Sequence, residues 1–189
     1  MATNTIEQTA DYIISFYQAH GNDMYFGEDV SQLQHASQAS EAAVNEGFDA
    51  DVQVAAFLHD FGHLITDAEP MGDLGVLNHE QIGADWLRKR GFSEKVCRLI
   101  AAHVNAKRYL VAVDEAYQRN LSEASRQTLV YQGGQMSPSE VSRFEDDPYF
   151  LLYIRMRLWD EAAKNPSVSA LDLSVFRAKI IQHLRAQTK

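Results

Sequence analysis

Cysteine occurs once in this chain, at Cys97, which excludes a disulfide framework and a thiolate metal site. Positive charge is also scarce. Seventeen lysines and arginines face 26 acidic residues, for a net charge of −9, so the clustered cations of a nucleic-acid binder are not expected. No apolar run approaches the roughly 18 residues of a membrane span. The first residues, Met1-Ala2-Thr3-Asn4-Thr5, lack the charged and apolar segments of a secretory signal, and a cytoplasmic location is the expectation. No sequence repeat occurs, and no segment alternates convincingly enough to predict a strand.

What remains is an ordinary globular composition, with 46% apolar and 23% charged residues over 189 positions. That length suits a single domain, residues 1–189, with a sizeable core. An acidic protein repels phosphate-like anions, so any anion site needs local cations. Lys107, Arg108, Arg126, Arg155 and Arg157 are the candidates.

The apolar pattern is helical almost throughout, which predicts an all-α fold. Ile6, Ala10, Ile13, Ile14 and Tyr17 mark a first helix that stops near His20-Gly21. A polar loop from Asn22 to Asp29 carries Tyr25 and Phe26. A second helix spans Val30 to Glu46 and carries His35. A third, capped by Asp49, runs through Phe57 and Leu58 into His59-Asp60 and ends at Gly62. Thr66 to Leu77 reads as a loop of about a dozen residues, a length often associated with function. Asn78 can cap a fourth helix that opens with His79 and closes at Gly91. Ser93 starts a fifth, which reaches His103 near its end.

Two short helices are expected between Lys107 and Tyr131, broken near Asn120-Leu121-Ser122. Ser137-Pro138-Ser139-Glu140 is a capping box with proline at the first helical position. Asp147-Pro148 opens a strongly apolar helix from Tyr149 to Ala163, and Leu171 to Gln187 forms an amphipathic last helix.

Six potential ligands recur on or at the ends of these helices: His35, His59, Asp60, His79, His103 and Asp160. Bundles build metal sites by projecting such groups inward from facing helices. Six nitrogen and oxygen ligands exceed what one metal takes when it must also bind substrate, and two metals bridged by Asp60 use them economically. Histidine and carboxylate without thiolate suit iron or manganese at least as well as zinc. Asp160 lies in the nearly all-apolar run Phe150 to Trp159, where a carboxylate needs a partner; Arg157 or a metal can supply it. His20 and His183 read as bystanders.

The order His35, His59-Asp60, His79, His103, Asp160 resembles the HD-domain superfamily of helical metalloproteins. The two additional histidines resemble its two-metal subset. The loop Tyr25-Phe26-Gly27-Glu28 followed by Gln32-Leu33-Gln34-His35 is similar to a narrower group, the PhnZ-type mixed-valence di-iron oxygenases. These cleave the carbon–phosphorus bond of 2-amino-1-hydroxyethylphosphonate or of its N-trimethyl analogue. The resemblance covers about Met24 to Asp160.

It implies an HD-domain helical bundle with a di-metal site in its core. Two irons, Fe(II)/Fe(III), would use dioxygen to release phosphate and glycine or glycine betaine. His35, His59, Asp60 and Asp160 would hold one iron, and Asp60, His79 and His103 the other. Tyr25 would cap an iron and swing away when substrate arrives, and Glu28 would receive the substrate's ammonium group. His63, Lys107, Ser125, Thr128 and Arg157 would cradle the phosphonate. The implied partners are a small organophosphonate and dioxygen, with no nucleic acid and no membrane.

Spacing agrees in part. Lys107 lies four residues after His103, His63 four after His59, and Arg157 three before Asp160, so each can share its ligand's side of a helix. Ser125 and Thr128 can present two hydroxyls to one anion. The alternative reading is an HD-type metal-dependent phosphohydrolase of a nucleotide or small phosphate ester, which needs the same anion cradle but no Tyr25/Glu28 loop. A regulatory domain that keeps a metal for stability is a third.

Overall fold

The computed structural model describes residues 5–65 and 69–188. The reading of the first four residues, and of the first three residues of the long loop, lies outside them. Ten α-helices account for the described fold: α1 Ile6–His20, α2 Gln32–Asn45, α3 Ala50–Leu58, α4 His79–Arg88, α5 Glu94–Val113, α6 Glu115–Asn120, α7 Glu123–Tyr131, α8 Pro138–Glu145, α9 Phe150–Ala162 and α10 Leu173–Gln187. A 3₁₀ turn, Phe61–Leu64, follows α3. Among the described residues the only β-type pairings are two single bridges, Met24 with Ser31 and Pro70 with Val76. The all-α expectation holds. No helix among the described residues is long and apolar enough to cross a membrane.

The bundle is built around α5, which packs against α3, α4 and α9. Its Val96, Leu99, Ile100, His103, Ala106 and Lys107 are buried, a stripe repeating at helical period. α2 packs on α3 and α9, and α1 pairs with α10, which also covers α3. Phe57 of α3 stacks on Phe176 of α10 with ring centroids 3.8 Å apart, and the Tyr17 hydroxyl of α1 donates to the Phe57 carbonyl over 3.0 Å. His183, fully buried on α10, donates from Nδ1 to Asp51 and accepts at Nε2 from the Ser93 amide. It is a satisfied core histidine, as its bystander reading implied.

Several boundaries shift for identifiable reasons. α2 starts at Gln32, not Val30, because Ser31 and Gln34 form a capping box. α3 ends at Leu58, so His59 and Asp60 lie at a junction rather than inside a helix. Gly62 does not terminate that helix; it sits in the 3₁₀ turn, where a Cβ would meet the His79 carbonyl oxygen at 1.9 Å. This close approach draws the start of α4 against His59-Asp60. Asn78 is no side-chain cap: it adopts a left-handed φ of 59° and serves the first turn through its carbonyl, which accepts from Gln81 and Ile82. α4 closes at Arg88, before Gly91. α5 runs on to Val113, which places His103 mid-helix and puts Lys107 on the same rod. The break near Leu121-Ser122 is observed, with Ser122 capping α7. α9 begins at Phe150, one residue late, and α10 begins at Leu173, capped by Asp172.

Candidate metal centre

Four helices and one junction deliver the six expected ligands to one buried point. His35 comes from α2, His59 and Asp60 from the α3 junction, His79 from the first residue of α4, His103 from mid-α5 and Asp160 from the last turn of α9. All six are buried. They fall into two groups, His35/His59/Asp160 and Asp60/His79/His103, with the ligand atoms of each group within 4.8 Å of one another.

The tautomers are set by the backbone. Nδ1 of His35, His59, His79 and His103 lies 2.8–3.0 Å from the carbonyls of Ala163, Ala56, Val76 and Ile100 respectively. An Nδ1–H donated to each carbonyl leaves every Nε2 lone pair pointing inward. These lone pairs meet in facing couples, His35 with His59 at 3.0 Å and His79 with His103 at 3.1 Å. Two acceptors so close require a proton or a cation between them. Two ligands about 2.1 Å from one metal and at right angles are about 3.0 Å apart, whereas tetrahedral ligands are about 3.4 Å apart. The facing couples are therefore spaced for a shared proton or a bound cation.

Asp60 spans the two groups. Its Oδ2 lies 3.6 Å from His35 Nε2 and 3.4 Å from His59 Nε2, and its Oδ1 lies 3.2 Å from His79 and 3.4 Å from His103. Burial alone would raise this carboxyl, but the charge on His59 and the close approach of the His103, His59 and His79 rings hold it well below the usual carboxylate range. Asp160 divides likewise. Oδ1 faces His35 at 3.5 Å, while Oδ2 accepts from the Arg157 guanidinium. Burial alone would raise the Asp160 carboxyl, but Arg157, His59 and His35 together keep it below its ordinary range. Arg157, one of the two partners weighed from the sequence, thus takes one oxygen, and the other is turned to the His35 and His59 nitrogens.

A pocket opens beside the ligands, lined by Tyr25, Glu28, His63, Lys107, Ser125, Thr128, Arg157 and Lys164 among others. Every expected substrate-binding residue is in this wall. Tyr25 lies over the centre, its ring stacked on His35 with centroids 3.8 Å apart and its hydroxyl donating to Asp60 Oδ2 over 2.7 Å. Burial and the Asp60 charge push the phenol well above its ordinary value, so it stays a donor. His63 accepts at Nδ1 from the Val76 amide over 2.9 Å, which puts its proton on Nε2. Burial, then His79, hold it well below the usual histidine range, so it is a neutral single donor. Gly75 is required there, because a Cβ would lie 2.6 Å from the His63 ring.

Lys107 is buried and donates to Thr128 Oγ1 over 2.8 Å; burial, with Arg157 next, brings it down to about 7. Arg157 is buried and donates to the Tyr117 hydroxyl, Asp160, Glu161 and, over 3.2 Å, Ser125 Oγ. Arg108, Arg126 and Arg155 are not part of the site; they pair with Glu140, Glu123 and Glu46. Glu28 is already engaged, accepting from Ser122 Oγ over 2.6 Å and pairing with Lys164 at 2.9 Å.

Lys164, Ser122, Glu161 and Tyr117 were not anticipated. Lys164 lies four residues after Asp160, the spacing that singled out Lys107 behind His103, so the same rule applied past Asp160 finds it. Tyr117 and Ser122 carry no comparable signal.

The HD domain family matches residues 31–134. This chain belongs to the HD-domain family. The match stops short of Asp160, but pairwise relatives extend past it. An uncharacterized protein of Acanthamoeba polyphaga mimivirus is 42% identical over 186 residues, covering 97% of this chain and 85% of its own. Hydroxymethylphosphonate dioxygenase of Gimesia maris is 33% identical over 171 residues, 89% of this chain and 84% of its own. The glycine-betaine-forming [1-hydroxy-2-(trimethylamino)ethyl]phosphonate dioxygenase of Leisingera caerulea is 34% identical over 176 residues, 92% and 89%. The HD-type phosphonate dioxygenase resemblance read from the motifs is thereby matched by relatives along most of the chain.

Proposed function

We propose that this HD-domain protein is a di-iron oxygenase that uses dioxygen to cleave the carbon–phosphorus bond of a 1-hydroxyphosphonate. The observation that carries this reading is Asp60 set between two histidine couples, with a pocket of buried cations against the same centre. Iron in a mixed Fe(II)/Fe(III) state suits the donor set, which is imidazole and carboxylate without thiolate. His35, His59, Asp160 and Asp60 would hold one ion, and Asp60, His79 and His103 the other. Bound there, the iron pair supplies dioxygen activation and the one-electron chemistry that opens the C1–H and C–P bonds.

The chain's own residues bind, orient and screen the substrate. Lys107 and Arg157 supply the positive charge that an otherwise acidic protein lacks, and His63 Nε2–H and the Ser125 hydroxyl add directed donors for phosphonate oxygens. Thr128 acts one step back, holding the Lys107 ammonium. Tyr25 covers the centre and excludes water until substrate displaces it, on a loop whose Gly27 has a φ of 77°. The substrate's C1 hydroxyl and phosphonate are common to the substrates named for both characterized relatives. What C1 carries beyond these two groups, an aminomethyl, a trimethylammoniomethyl or hydrogen alone, is decided at Glu28.

The reaction balances with one dioxygen per turnover: hydroxymethylphosphonate dianion and dioxygen give formate, hydrogen phosphate and one proton. The 2-amino-1-hydroxyethyl and 2-trimethylammonio analogues would give glycine and glycine betaine. Incubation of the iron-loaded protein with each compound, following oxygen uptake and phosphate, tests the proposal. Phosphate and oxygen in a one-to-one ratio is the expected result. Phosphate released equally well without dioxygen, or only from phosphate esters, would replace this reading with a hydrolytic one.

A further inference from the structure

Lys164 follows the last residue of α9 by two positions and reaches back into the pocket. Its Nζ lies 2.9 Å from Glu28 Oε1, 3.0 Å from Glu161 Oε1, 3.1 Å from Ser122 Oγ and 3.3 Å from Ser125 Oγ. The Lys164 and Glu28 side chains are only 14% and 15% exposed. Ser122 completes the arrangement, donating to the same Glu28 oxygen and accepting from Lys164.

Two of the three cations lining the pocket are engaged, and they share Glu161. Arg157 serves Asp160 and Glu161, and Lys164 serves Glu28 and Glu161. Among the described residues Lys107 forms no ion pair, so it is the cation free to meet an incoming dianion. Glu28 is therefore not an open carboxylate waiting for a substrate ammonium. Its charge is balanced from within the chain, at a partly buried position where an unbalanced carboxylate is costly.

We propose that Lys164 is a built-in counter-cation for Glu28, and that it lets the site accept a 1-hydroxyphosphonate with no positively charged substituent on C1, hydroxymethylphosphonate being the smallest. The proposal rests on the C–P cleavage reading and assigns Lys164 as a residue that determines specificity. With Lys164 present, a neutral C1 substituent leaves no carboxylate unpaired beside its own phosphonate dianion. A substrate ammonium, by contrast, competes with Lys164 for Glu28 and gains less from it. Without Lys164 the preference reverses: Glu28 repels a bare hydroxyphosphonate and attracts a cationic one.

Calorimetric binding to iron-loaded protein without dioxygen separates these terms, using hydroxymethylphosphonate and 2-amino-1-hydroxyethylphosphonate. The wild type is expected to bind hydroxymethylphosphonate at least as tightly as the amine. Lys164→Met weakens hydroxymethylphosphonate about tenfold or more and tightens the amine. The double variant E28Q/K164M brings hydroxymethylphosphonate back to within about threefold of wild type, and Lys164→Arg keeps the wild-type order. Equal loss of both ligands in Lys164→Met, no recovery in the double variant, or a wild type that prefers the amine overturns the assignment. Turnover with dioxygen is scored apart. If the binding pattern appears but no phosphate is released from either compound, the reaction reading fails and the Lys164 assignment stands.

Discussion

The Tyr25 hydroxyl donates to Asp60 Oδ2, the oxygen that Asp60 turns toward His35 and His59. One hydrogen bond therefore ties the loop over the pocket to the residue that spans both ligand groups. A donor to a carboxylate is worth about 1.5–3 kcal/mol.

Tyr25→Phe removes that tie while keeping the ring on His35. Two amides report the loop's opening: Tyr25 N–H donates to the Val30 carbonyl and Glu28 N–H to the Tyr25 carbonyl, each over 2.8 Å. Their hydrogen exchange is expected to accelerate about tenfold or more, with exchange in α5 unchanged. Unaltered exchange at both amides would show that the hydroxyl does not hold the loop.

Asp60→Asn tests whether one carboxylate serves two sites. Asparagine keeps a single neutral oxygen and cannot offer an anionic oxygen to each couple. Metal per chain after gel filtration is expected to fall further in Asp60→Asn than in His35→Ala or His79→Ala, each of which disables one group only. Equal loss in all three would argue for a single ion.

Much of this centre was legible because its chemistry is written in residue types. His59-Asp60 and Asp160 stand out as polar groups at the end of or within apolar helical stretches, and His35, His79 and His103 join them through residue type and order along the chain. The reach of α5 past His103 was misread because Lys107-Arg108 looks like a polar helix end. In the fold the Lys107 ammonium is buried against Thr128, and the apolar period continues to Val111. Asn78 looks like a side-chain cap by residue type, yet it takes a left-handed backbone and caps through its carbonyl instead. Glu28 shows most clearly what a sequence leaves out. Its partner Lys164 lies 136 positions away, and only tertiary contact reveals that the carboxylate is already neutralised.

Metal binding should release protons. Burial, with His59 beside it, lowers His35 to about 4, whereas against burial Asp60, Asp160 and the Ala56 carbonyl together raise His59 to about 9. One proton therefore sits between the couple from about pH 5 to 8, and a metal must displace it. His79 is raised in the same way, by Asp60 against burial. Because the metal-free form holds the extra protons, apparent affinity climbs with pH over that window, by about tenfold per unit for each proton displaced. Calorimetry in buffers of different ionisation enthalpy is expected to count about one proton per ion bound. A count near zero would contradict the facing-couple geometry.

Phosphonate binding should fade on the alkaline side for a different reason. Lys107, lowered to about 7 mainly by burial, is charged below that value and increasingly neutral above it. A phosphonate dianion favours the charged form, so binding above pH about 7 must take up a proton and affinity falls as pH rises. Lys107→Arg stays charged throughout, and the ratio of wild-type to variant affinity cancels the ligand's own titration. That ratio is expected to drop by about tenfold between pH 7 and 8.5. The same group acts oppositely on the ligand-free fold. Between about pH 7 and 10.5 the unfolded lysine binds more protons than the native one, so its contribution to stability rises with pH. A ratio independent of pH, or a lysine-dependent stability that does not rise over this range, would show that the Lys107 ammonium stays charged in its buried place beside Arg157.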